Sequence, residues 1–310
     1  MRSPDRQPKT RQPTDVELLG QEREVDGWEP VGSDRLKAPI TLILGIMLVG
    51  IVVLMAVVSA FWTPYDPAAL NIADRFLPIG SPGYPLGTTR LGRDVLTQIM
   101  AGARTSLLVS ILSTSAAVVI GTLWGLAAAG ARPRVQRVLT AAADVGVALP
   151  GILIALVLAT AIGPGNTAAV IAIIGWFVPI VARITIGPAK QILALDYVEA
   201  AFAYGRSMWY ILRRHVLPNV APVLIVQASL MFAAAILIEA TLSFLGVGAQ
   251  PPTASWGRML NESQTVLDFA PSLMIIPGLA IMGAVLGFNL LGDGLRTVLD
   301  PKQSANRGTP

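Results

Sequence analysis

From residue 39 onward the chain alternates long apolar blocks with short polar breaks. Six blocks stand out, at residues 39–62, 105–129, 139–162, 167–187, 220–247 and 271–291. Each is about 20 residues or more, enough for a helix to cross a hydrocarbon core of about 30 Å. The pattern predicts an all-α polytopic membrane protein with six transmembrane helices. Between the first two blocks lies a Pro- and Gly-rich loop, 63–102. It ends in "GRDVLTQIMAG", whose Val95, Leu96, Ile99 and Met100 recur at helical spacing and suggest a short helix lying in the membrane interface. Pro150 and Pro179 fall inside the third and fourth blocks, where a proline kinks a helix.

This divides the chain into a polar tail (1–38), a first transmembrane helix (39–62), an external loop with an interfacial helix (63–102), a core of five spans (103–295) and a short tail (296–310). The first tail mixes both charge signs without an apolar face and is expected to be disordered. Composition agrees with the block pattern. Of 310 residues, 53% are hydrophobic and 14% charged, against about 25% charged in soluble domains. Mean hydropathy is +0.62 and the isoelectric point 9.7. The chain has no cysteine and one histidine, His215. Disulfides, thiolate metal sites and a cysteine nucleophile are therefore excluded, and no metal site is expected.

The net charge of +4 is explained by loop charges that orient a membrane protein, without invoking nucleic acid. Arg132, Arg134 and Arg137 lie between blocks two and three; Lys190, Arg206, Arg213 and Arg214 lie between four and five; Arg296, Lys302 and Arg307 lie in the last tail. The opposite loops carry few, apart from Arg75, Arg90 and Arg93 in the long first one. Both termini and the 190–219 segment are thus expected in the cytoplasm.

That segment contains "YVEAAFAYGRSMWYILRRHVLPN". Ile192, Leu195, Val198, Ala201 and Phe202 share one helical face. Gly205 can take the positive φ that ends such a helix. Met208, Trp209, Ile211 and Leu212 mark a second short helix, and Pro218 is expected to break it where the fifth span begins. The result is a compact knob whose apolar residues either pack on their own bundle or meet a partner.

The order Glu199-Ala200-Ala201, three residues, Gly205, nine residues, His215, one residue, Leu217-Pro218 resembles the EAA loop of permease subunits of ATP-binding-cassette importers. His215 stands where many such subunits have Ile, a variant that looks like the peptide-transporter branch. "YPLGTTRLGRDVLTQIMAGARTSL", "EATLSFLGVGAQPPTASWGRML" and "LLGDGLRTVLDP" also resemble the dipeptide, oligopeptide and nickel permeases of the C type, with Thr89 where that pattern usually has Asp. The resemblance covers about residues 39–301. It implies the type I importer permease fold, and a bacterial plasma-membrane subunit that carries di- or oligopeptides, or alternatively nickel chelates or another small ligand. It also implies partners: a B-type second permease, two ATPase subunits and an external substrate-binding protein. The coupling residues it implies are Glu199, Ala200, Ala201, Gly205, Arg206, His215, Leu217 and Pro218.

This chain has no phosphate-binding loop or other catalytic motif, so ATP and Mg are expected in the ATPase partners. Two intramembrane carboxylates need an account. Asp144, seven residues after Arg137, either lines the inner mouth or, as is favoured, pins its span through a salt bridge or hydrogen bond. Glu239 either meets a peptide amine or bonds a hydroxyl such as Thr241 or a partner group. Together they define the rival reading, a proton-coupled secondary transporter, although no internal repeat is evident. A scaffold without transport is a third. Gly121-x3-Gly125 and Gly283-x3-Gly287 suit close helix packing. Trp256, Pro251 and Pro252 either touch the binding protein or shape a re-entrant cap.

Overall fold

The computed structural model describes residues 34–299 and the side chains of residues 40–298. The expected disordered tail, apart from its last five residues, lies outside the described residues, as do Lys302 and Arg307. Among the described residues the regular structure is helical. The long helices are α1 (Asp34–Phe61), α2 (Val95–Ala129), α5 (Asn166–Leu193), α8 (Leu217–Phe244) and α10 (Ser272–Leu299). Shorter ones are α3 (Pro133–Ala148), α4 (Gly151–Ile162), α6 (Asp196–Ala203), α7 (Met208–Ile211) and α9 (Trp256–Ser263). Five helices are long and apolar enough to cross a membrane, and α3 with α4 makes a sixth crossing if the bent pair is one span.

Helix α1 starts at Asp34, and its candidate membrane span, Ile40–Phe61, coincides with the first apolar block. Two expectations need correction. The interfacial helix within 63–102 does not exist as a separate element: Val95 starts α2, which runs unbroken to Ala129. Asp94 caps it, accepting from the Thr97 amide at 2.8 Å and the Thr97 hydroxyl at 2.7 Å. Val95, Ile99 and Met100 are buried against protein. Gly102 allows the continuation, because the indole of Trp256 lies where a Cβ would stand. Nor does Pro218 break the chain. It lies in the first turn of α8, directly after a π-helical turn. A π-helical stretch, Leu212–Val216, joins α7 to α8, so one rod runs from Met208 to Phe244.

The two prolines behave differently. At Pro150 the chain bends by 85° between α3 and α4. Pro179 sits inside the unbroken α5.

Glycines set the tightest helix contacts. A Cβ on Gly121 would stand 2.6 Å from Val181, and one on Gly125 2.5 Å from Thr185, so α2 and α5 meet almost backbone to backbone. Of the second pair only Gly287 makes such an approach, against Leu48 of α1; Gly283 faces open space. Two apolar cores result. One joins α2, α5 and the knob through Leu126, Ile173, Val181, Val198, Ile211 and Val216. The other gathers Val52, Ile99, Ile236, Trp256, Ile281 and Phe288.

Candidate functional site

The knob lies at one end of the bundle, between α5 and α8. Helix α6 ends as its sequence suggests. Gly205 takes φ +73°, its amide donates to Phe202 O at 2.9 Å, and the Arg206 amide reaches back to Ala201 O at 3.2 Å. These two bonds close the last turn and satisfy its carbonyls. Ser207 then caps α7, accepting from the Tyr210 amide at 3.3 Å. Two short helices therefore fold back around one glycine.

The knob has a buried and a bare side. Val198, Ile211 and Val216 are fully buried in the bundle core. The loop between α2 and α3 packs here too, since a Cβ on Gly130 would stand 3.1 Å from both Leu212 and Met208. On the outer side Tyr204 is 87% and Trp209 66% exposed, with Leu195, Tyr197 and Phe202 also exposed. Glu199, Ala200, Gly205, Arg206 and Pro218 are exposed as well, while Ala201, His215 and Leu217 are half-buried. His215 sits between the rings of Tyr197 (5.8 Å) and Tyr210 (6.0 Å). The Arg206 guanidinium lies 5.0 Å from the centre of the Tyr210 ring, within cation–π range. This ring cluster stiffens an apolar surface that none of the described residues covers.

The two intramembrane carboxylates have different surroundings. Asp144 Oδ1 lies 3.3 Å from Arg183 Nε on α5, and each side chain is about half exposed. Arg137 is not its partner; Arg137 Nε donates to Pro133 O within its own helix. Close packing holds α3 and α4 on α5, because Gly146 meets Pro179 at 2.5 Å from a notional Cβ and Gly151 lies under the Trp176 ring. Sequence reasoning missed Arg183, although a single cation in the fourth apolar block was the available signal.

Glu239 is fully buried. Its Oε2 accepts from Ser106 of α2 at 2.6 Å, and its Oε1 from Ser243 at 2.7 Å. Ser243 in turn accepts from the Ala249 amide at 3.0 Å. Thr241 is not a partner, for it donates to Leu237 O. Trp256 is fully buried and donates to Ile99 O at 3.0 Å, so it is a structural plug and offers no ring to an external protein. At Thr89 the hydroxyl accepts from the Leu91 and Arg93 amides, a local turn contact that an Asp side chain also makes.

Residues 117–305 match the family described as "Binding-protein-dependent transport system inner membrane component". A glutathione transport system permease protein of Pectobacterium atrosepticum is 40% identical over 257 residues, covering 82% of this chain and 85% of that protein. A di/tripeptide transport system permease protein of Pseudomonas aeruginosa is 38% identical, covering 83% and 87%. Among solved structures, the inward-facing MetNI methionine ABC transporter matches at TM-score 0.56 and 19% identity, over 66% of this chain and 96% of that one. An amino acid ABC transporter solved with histidines matches at TM-score 0.51 and 20% identity, over 65% and 94%. These two likenesses show a shared fold. With five apolar helices long enough to cross a membrane, or six crossings if the bent pair is one span, a family model over most of its length and such relatives, the chain belongs to the binding-protein-dependent transport system inner membrane components, a permease subunit embedded in the membrane.

Proposed function

We propose that this permease carries short peptides inward, driven by ATPase subunits that grip the α6–α7 knob. The observation that carries this reading is the bare aromatic surface of the knob, Tyr204 and Trp209 above all. Large apolar side chains clustered on a surface mark an interaction site, and hot spots in such sites are rich in Trp and Tyr. The buried side of the same helices joins the cores of α2, α5 and α8, so a push on the knob moves those rods as rigid bodies.

The knob then lies in the cytoplasm together with both termini. Arg132, Arg134, Arg137, Lys190, Arg206, Arg213 and Arg214 gather at this end of the bundle, as the positive-inside rule requires. The partners are a second permease of B type, two ATPases holding ATP and Mg, and an external binding protein. Relatives named for peptide transport support the cargo class. The half-exposed Asp144–Arg183 pair faces the hydrated pathway, since an ion pair that open to lipid would be costly.

The test is uptake of radiolabelled alanyl-alanine by proteoliposomes holding both permeases, the ATPases and the binding protein. ATP-dependent accumulation that disappears with Trp209→Glu supports the reading. Uptake that persists without ATP and follows a proton gradient would replace it with a secondary transporter.

A further inference from the structure

At the end of the bundle away from the knob, a cavity of about 650 Å³ opens between α2, the start of α5 and the loop after α1. That volume is typical of small-molecule sites, which run from about 300 to 1,000 Å³. Its polar lining includes Asp66, Arg104, Thr105, Asn166 and Thr167, and Leu108 and Leu112 supply an apolar wall. Opposite charges thus share one space without meeting. Among the described residues Arg104 makes neither an ion pair nor a hydrogen bond, and Asp66 is engaged only at Oδ1, by the Ala68 amide at 2.9 Å. Asn166 Oδ1 is shielded from solvent and has no donor.

We infer that this cavity is an outer reception site for a zwitterionic short peptide. Arg104 takes the C-terminal carboxylate, Asp66 takes the N-terminal ammonium, and Asn166 Oδ1 accepts a peptide N–H. A guanidinium matches a carboxylate in charge and in its paired donors. The free Oδ2 of Asp66 accepts from an ammonium. A buried amide oxygen without a donor costs free energy that a ligand N–H recovers. The apolar wall takes one side chain without selecting it, which suits a carrier of varied short peptides. The inference rests on the peptide-importer reading and adds where this chain first holds the cargo.

The experiment uses the assembled complex of permeases and ATPases in nanodiscs, without binding protein. Saturation-transfer NMR measures binding of alanyl-alanine, its C-terminal amide and its N-acetyl form. Wild type is expected to prefer the free dipeptide over either blocked form by about tenfold or more, the scale of one lost charged hydrogen bond. Arg104→Gln should abolish discrimination against the amide and keep that against the acetylated form; Asp66→Asn should do the reverse. A preference that survives both substitutions overturns the site, as does the absence of any terminus preference in wild type. Loss of the second permease from Arg104→Gln complexes, with terminus preference unchanged, would make the cavity a subunit contact and overturn it too. Uptake of alanyl-alanine by the full importer separates the two levels. If wild type accumulates it with ATP but the terminus preferences fail, only this site falls; if wild type never accumulates it, the peptide reading falls with it.

Discussion

Arg183 Nε of α5 lies 3.3 Å from Asp144 Oδ1 of α3, six residues before Pro150, where the chain turns by 85° into α4. The pair ties the segment before the bend to the straight span beside it. A half-exposed ion pair contributes about 1 kcal/mol or less. Asp144→Asn should therefore destabilise the permease by up to about 1 kcal/mol, read as a slightly lower melting temperature in detergent. The exchanged pair D144R/R183D should recover at least half of the loss, and a double-mutant cycle isolates the coupling. An additive cycle would show that the two charges act independently.

Glu239 receives two hydroxyl bonds and no cation among the described residues. Glu239→Leu strands the Ser106 and Ser243 hydroxyls in a dry interface, at about 1–3 kcal/mol for each unsatisfied group. Glu239→Gln keeps one acceptor, and the second serine can turn its hydroxyl to accept from the new amide. The leucine variant should lose folded yield severalfold while the glutamine variant stays near wild type. Equal yields for both would show that the hydroxyl bonds contribute little.

Gly205 holds the knob's turn at φ +73°. A side chain in this left-handed region costs about 1–2 kcal/mol, and a β-branched one more. Gly205→Val should leave the spans intact, since no neighbour lies within 4 Å of a Cβ there, yet uncouple ATPase activity from uptake. Gly205→Asn, which tolerates positive φ, should retain most of the coupling. If valine couples as well as glycine, the bend is not required.

The exposed ring of Trp209 and the exposed carboxylate of Glu199 give the docking surface two separable tests. Truncating an interface hot spot costs about 2 kcal/mol or more, about thirtyfold in affinity. Trp209→Ala should lower ATPase recovery on the purified permease by that order. Glu199→Lys should weaken docking where the facing cleft is basic. Unchanged recovery for both variants would move the contact elsewhere.

The apolar blocks, and hence the spans, were legible because the cost of moving a side chain into hydrocarbon is a property of each residue and adds up locally. The end of α6 was legible for the same reason: a glycine that relieves a left-handed turn acts through its own φ. Other features were ambiguous. Val95, Ile99 and Met100 show one apolar face whether they meet lipid or protein, and only the Trp256 indole on Gly102 decides for protein. Pro150 and Pro179 look alike in sequence. Yet Pro150 adjoins Gly151, which takes in the Trp176 ring, whereas Pro179 rests on Gly146 inside a continuous helix.

The amino-acid order by itself determined the membrane class, the crossings and the bent loop between the fourth and fifth, all set by short-range hydrophobicity and backbone preference. Only the tertiary structure decided which polar groups meet. Ser106 and Glu239 are 133 residues apart in the chain, and Asp144 finds Arg183 on the next crossing instead of Arg137 on its own. Such pairings depend on how whole helices rotate and slide against one another. Glycine contacts such as those of Gly121 and Gly125 set that register, and no local pattern encodes it.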